Sequence, residues 1–154
     1  MIEVLGFESL KTGQRVKVEG RLDEGGKFVA TEITNKVSDE FSSVIGMIQD
    51  IDYEKREIRV CDNDFTVSSD VMVKDLLRLD TDFTTLKAGT MVKVKGTYTP
   101  GVGLAPHLLK MKETFAYNID KLKGDIEQVN ADQKTFLING YTVQVNAKTV
   151  IEGI

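Results

Sequence analysis

Nearly every regular stretch of this 154-residue chain alternates apolar and polar positions with period two, the mark of half-buried strands. In Arg15-Val16-Lys17-Val18-Glu19 the valines are expected to face a core and the charges solvent; Met91-Val92-Lys93-Val94-Lys95 repeats the pattern. Met91 takes the outward parity, where Arg15 stands in the other copy, and is expected to be exposed at a seam. Val44, Gly46 and Ile48 match Leu122, Gly124 and Ile126 on the inner face of a first strand. Second strands follow at Glu57 to Cys61 and Thr135 to Ile138, after turns at Asp52-Tyr53-Glu54-Lys55 and Asn130-Ala131-Asp132-Gln133. Asn139-Gly140 is a strong two-residue hairpin signal. The equivalent turn of the middle copy reads as a longer Asp62-Asn63-Asp64, which aligns Phe65-Thr66-Val67 with Tyr141-Thr142-Val143. The short helix candidate is Lys74-Asp75-Leu76-Leu77-Arg78-Leu79.

These matches make a repeat that is out of phase with the chain ends. LKTGQRVKVEG, from Leu10, recurs as LKAGTMVKVKG from Leu86, an offset of 76. VIGMIQDIDYEKREIRV, from Val44, aligns with LKGDIEQVNADQKTFLI from Leu122, an offset of 78. The middle carries one whole repeat, the N-terminus the back half of another and the C-terminus a front half. Five strands with a helix or loop between the third and fourth suggest an OB-like barrel. The expected fold is all-β: two five-stranded OB-like barrels. One is continuous (43–112) and the other is assembled from both termini (1–36 plus 119–154).

Neither terminal piece buries enough apolar surface to fold alone. Three arrangements follow. The halves close within one molecule as a circularly permuted barrel, they exchange between chains into rings or fibres, or the chain is cut from a longer tandem array. Phe41, Phe115 and Tyr117 lie in the linkers, where they are expected to pack the barrels together.

Hydrophobic residues at 41% and charged residues at 29% are those of a soluble globular protein. A net charge of −4, without the basic face of a duplex binder, argues against nucleic acid as main partner, although a local basic patch is compatible with such a total. No membrane insertion is expected, because no apolar run approaches the length that spans a bilayer. Met1-Ile2-Glu3 does not open a secretory signal, and localisation is left unknown.

One bacterial family is similar to the stretch from Gly124-Asp125-Ile126 through Asn139-Gly140-Tyr141-Thr142-Val143 to Ala147-Lys148-Thr149-Val150. The match extends to Leu86-Lys87-Ala88-Gly89, Val94-Lys95-Gly96 and Leu104-Ala105. It is a family of small OB-like domains of unknown function, often in tandem in exported or envelope proteins. The resemblance implies a fold and an envelope or exported setting, and it transfers no catalytic residues.

Enzyme chemistry finds little support. The one histidine, His107, reads as a strand-edge residue, and the one cysteine, Cys61, as a structural thiol. Asp62-Asn63-Asp64 lacks the glycine and distant glutamate of a calcium loop. No catalytic residue, metal site or cofactor is expected. Ligands of OB folds lie across strands two and three, beside the loops after strands one and four. That places Tyr53 and Tyr98, with Lys55, Arg56 and Arg59, at a candidate cleft. Two aromatics with cations suit a base or sugar ring, each base stack contributing roughly 1–3 kcal/mol. The expected role is a non-enzymatic binding or assembly module with a protein partner or self-association. Single-stranded nucleic acid or oligosaccharide binding by the middle barrel, and a polymer of exchanged half-barrels, are the alternatives.

Overall fold

The structure is a computed structural model that describes residues 6–36, 41–113 and 120–152. Phe115 and Tyr117 lie outside the described residues. The N-terminal segment holds a 3-10 turn (Phe7–Ser9), β1 (Arg15–Leu22) and β2 (Phe28–Asn35). The middle opens with β3 (Ser42–Asp52), β4 (Glu57–Val60), β5 (Asn63–Thr66), β6 (Met72–Lys74) and β7 (Asp80–Thr81). A second 3-10 turn (Phe83–Thr85) precedes β8 (Met91–Thr99) and β9 (Gly103–Lys112). The C-terminal segment contributes β10 (Asp120–Asp125), β11 (Glu127–Asn130), β12 (Thr135–Ile138), β13 (Tyr141–Gln144) and β14 (Val150–Glu152). The fold is all-β, and its hydrogen-bonded strands form one open, mixed sheet.

The middle strands and the terminal strands follow matching pairing schemes. In the middle, β3 pairs with β4 and β8, β4 with β5, β8 with β9, and β6 runs parallel to β9. Among the termini, β1 pairs with β10 and β2, β11 with β12, β12 with β13, and both β13 and β14 run parallel to β2. The first and last segments of the chain therefore share a sheet, in register Val16 opposite Gly124 and Val18 opposite Leu122. Val16, Val18, Leu122, Ile126 and Val143 are all buried in one apolar cluster. The two sets of strands join where β10 meets β3 antiparallel, with Leu122 opposite Val44. Those two residues are repeat equivalents, 78 apart. An antiparallel pair centred on equivalent residues relates the halves by a local twofold axis.

The register corrects three expectations. First, Val60 pairs with Asn63 in the middle copy as Ile138 pairs with Tyr141 in the other. The middle hairpin is therefore the two-residue turn Cys61-Asp62, at φ 49° and 60°, matching Asn139-Gly140 at 52° and 85°. Asn63, not Phe65, is the partner of Tyr141 in the repeat, and the offset of 78 continues to β6 and β14.

Second, residues 74–79 do not form a helix. Asp75 Oδ1 accepts from the backbone N–H of Leu77 and of Leu79 at 2.9 and 3.0 Å, and Arg78 sits at φ 67°. The aspartate side chain closes a tight hairpin between β6 and β7, an alternative that short polar side chains offer in competition with a helix. Third, Met91 is buried at 7% exposure, opposite Met47. Parity put it on the outer side of β8, but that part of the outer side is covered.

Candidate functional site

The five residues singled out from the sequence divide between two ends of β3. Tyr53 follows β3 at its far end; its hydroxyl donates to Leu86 O at 2.6 Å, and its ring meets Phe83 edge-on. Arg56 joins the same group, donating through Nε to Val67 O and lying 4.8 Å from the Phe83 ring centre. Lys55 is exposed in the turn between them. Arg59 pairs with Asp64 across β4 and β5 at 3.1 Å. Tyr98 is elsewhere: it lies two residues beyond Gly96, which faces Ser42 at the start of β3. Tyr53 thus follows the last residue of β3, whereas Tyr98 neighbours its first. They do not flank one cleft, because the antiparallel β3–β8 ladder sends their loops to opposite ends.

Tyr98 instead lines a cleft of about 360 Å³ at the seam, with Arg15, Ser42, Asp125 and Glu127. Desolvation first, and then the Glu127 charge, push its hydroxyl pKa up. The local twofold carries this cleft onto a second one of about 300 Å³, lined by Arg21, Leu22, Met47, Gln49, Cys61 and Asp120. Leu22 corresponds to Tyr98, Gln49 to Glu127, and Asp120 to Ser42. At the equivalent turns, Asn139 Nδ2 donates to Ser43 O and Lys123 O, whereas Cys61 leans toward Ile45 O and Asp120. Burial, and then the Asp120 carboxylate, push the Cys61 thiol pKa well up. A thiol held protonated in this way is a poor nucleophile. Asp120 is itself raised, by desolvation first. These clefts are built as joints between the halves, with polar groups turned onto one another.

The more open feature is the outer face of the sheet. Cross-strand register aligns Lys121, Ile45, Lys93, Lys110 and Lys74 in one row over β10, β3, β8, β9 and β6. A neighbouring row runs Lys17, Lys123, Ser43, Lys95, Leu108 and Met72. Glu19 answers Lys17 and Lys121 at 3.3 and 3.5 Å, and Asp80 answers Lys74. Among the described residues, no carboxylate lies within ion-pair distance of Lys93, Lys95, Lys110 or Lys112. Desolvation first, and then repulsion from Lys112, Lys95, Lys123 and Lys110, bring Lys93 down to about 8. Repulsion from Arg78 and Lys112 lowers Lys110. This face was not singled out from the sequence. Its signal was the spacing of two in Lys93/Lys95, Lys110/Lys112 and Lys121/Lys123, but only strand order places those pairs side by side.

His107 is exposed on β9; its ring nitrogen lies 2.9 Å from Thr97 Oγ1, and Phe41 stacks edge-on against it. Among the described residues, no group of acidic, histidine and cysteine side chains could hold a metal ion, and no helix is long and apolar enough to cross a membrane. No curated protein and no solved structure matches the chain. Two segments, residues 2–34 and 123–154, match a family described as a domain of unknown function (DUF5666), and these are the segments whose strands pair with each other.

Proposed function

We propose that this chain is a non-enzymatic binding module of two fused OB-like barrels whose lysine-bearing sheet face takes a polyanionic partner. The barrels are 43–112 and 1–36 plus 119–154. Support for the second comes from the strand order β11–β12–β13–β2–β1–β10, whose end strands β10 and β11 adjoin along the chain, and from the family match on the same two segments.

The observation that carries the functional reading is Lys93 directly opposite Lys110, with Lys74 beside Lys110 in the same row. Like charges opposite each other on a sheet are destabilising, and a chain of net charge −4 has acidic residues enough to avoid it. A concentrated cationic face on an acidic protein serves an anionic surface or polymer. Tyr53 and Tyr98, lying apart, give little support to a shared stacking cleft.

Retention on a heparin matrix tests the reading. Wild type is expected to bind at low salt and elute as salt rises, since phosphate- and sulfate-like contacts are strongly screened. Lys93→Glu/Lys110→Glu is expected to pass unretained. Equal retention of the two proteins, or none by wild type, would refute the reading.

A further inference from the structure

The hairpin between β6 and β7 carries leucines where turns ordinarily carry glycine, asparagine or proline. Leu76, Leu77 and Leu79 are 55, 79 and 60% exposed, and Met72 at its base is 52% exposed. This tip is well built. Asp75 accepts from two of its backbone amides, Asp75 N–H donates to Leu79 O at 2.9 Å, and Arg78 N–H donates to Asp75 O at 3.0 Å. The Lys74–Asp80 ion pair ties its base. Leucines held outward on a fixed hairpin form an apolar projection rather than a collapsed loop.

The projection stands at the edge of the lysine face. β6 lies parallel to β9 with Lys74 beside Lys110 and Met72 beside Leu108. Arg78, between the exposed leucines in sequence, is close enough to Lys110 to repel it. One side of the molecule thus combines a short apolar tip with a field of cations behind it.

We infer that this side docks on an anionic lipid bilayer, with Leu76, Leu77 and Leu79 entering the interfacial region and the lysines of β8 and β9 lying on the headgroups. The inference rests on the reading of the lysine face as the binding surface and names its partner. A bilayer matches both halves of the surface: its charged plane answers Lys93, Lys95, Lys110 and Lys112, and its acyl boundary answers the leucines. A nucleic-acid strand would meet the lysines and leave the leucine tip in water. The docking is interfacial and goes beyond the sequence expectation of no membrane insertion, without requiring any spanning segment.

Cosedimentation of the full chain with phosphatidylcholine vesicles, with and without phosphatidylglycerol, tests this. Wild type is expected to pellet only with the anionic vesicles. Leu76→Ser/Leu77→Ser/Leu79→Ser is expected to weaken partitioning by about tenfold or more while its heparin retention stays unchanged. Lys93→Glu/Lys110→Glu is expected to lose about thirtyfold or more, at roughly 1 kcal/mol per cation near an anionic surface. Because the leucines are exposed, unfolding midpoints of the serine variant should match wild type, so a lost interaction is not lost folding. Vesicle binding by the serine variant equal to wild type overturns the bilayer inference. Heparin or oligonucleotide binding without vesicle binding also overturns it and leaves the polyanion reading standing. Failure to bind heparin, oligonucleotide and vesicles alike removes both.

Discussion

Lys93 shows how one residue records the cost of the surface it belongs to. Its neighbours Val92 and Val94 are fully buried, and Lys110, Lys112, Lys95 and Lys123 crowd its ammonium group. Desolvation of the ammonium first, and then those charges, bring it down to about 8 from an ordinary 10.5. Between those two values the unfolded chain binds the extra proton, so stability should rise as pH climbs from about 8 toward about 10.5. Below 8 both states are protonated and the penalty is fully present. Lys93→Met should accordingly raise the thermal midpoint most at about pH 7, and the gain should shrink by about pH 10. Melting curves of both proteins over that range check it; a gain independent of pH would show that the ammonium is not strained. The alternation that turns Lys93 outward is plain in Val92-Lys93-Val94. The crowding is not, because Lys110 and Lys123 are brought near only by the pairing of β8 with β9 and of β10 with β3.

At the scale of the element, the two long hairpins β1–β2 and β8–β9 turn on equivalent irregularities. Their registers shift between Glu19 and Gly20 and between Lys95 and Gly96. A Cβ on Gly20 would run into the Val29 carbonyl, and one on Gly96 into the Ala105 carbonyl, which are backbone groups that cannot rotate away. Gly96→Ala should therefore cost about 2 kcal/mol or more, read as a lower denaturant midpoint, and Gly20→Ala should behave alike. A loss below about 0.5 kcal/mol, the usual size of a surface change, would mean the bulges relax freely. The strands themselves were legible from period two. The Cys61-Asp62 turn was not, because cysteine does not advertise the positive φ that its position demands, although aspartate tolerates it. Residues 74–79 suggest a helix because Leu76 and Leu79 stand three apart, while Asp75 fixes a turn that exposes all three leucines.

At the scale of the whole molecule, the antiparallel pairing of β10 with β3 at Leu122 and Val44 joins the terminal strands to the middle ones. Its joint is polar as well as apolar. Tyr141 Oη donates to Val60 O at 3.2 Å and Asn139 to Ser43 O at 3.1 Å, each bridging the middle and terminal strands. With β1 and β10 paired inside one chain, the mass in solution should remain that of a monomer across a dilution series. Size-exclusion chromatography with light scattering checks this, and a concentration-dependent dimer or ladder would favour exchange of halves between chains. The divergence of the two seam clefts, Cys61 and Asp120 on one side against Asn139 and Ser42 on the other, needed the twofold to be seen at all.

Period-two alternation along the chain places most of the strands, and segment similarity shows an offset from the chain ends, but neither places β6, β7 or the start of β5. Those features are local: alternation in a strand and similarity between segments are written along the chain. Which strands lie side by side was decided only in three dimensions, where burial of Val16, Val18, Leu122 and Val143 in one core draws distant segments together. The lysine rows and the projecting leucines belong to that second kind of fact. A charge pattern on a sheet face depends on neighbours across the ladder, and such neighbours are set by packing rather than by proximity in sequence.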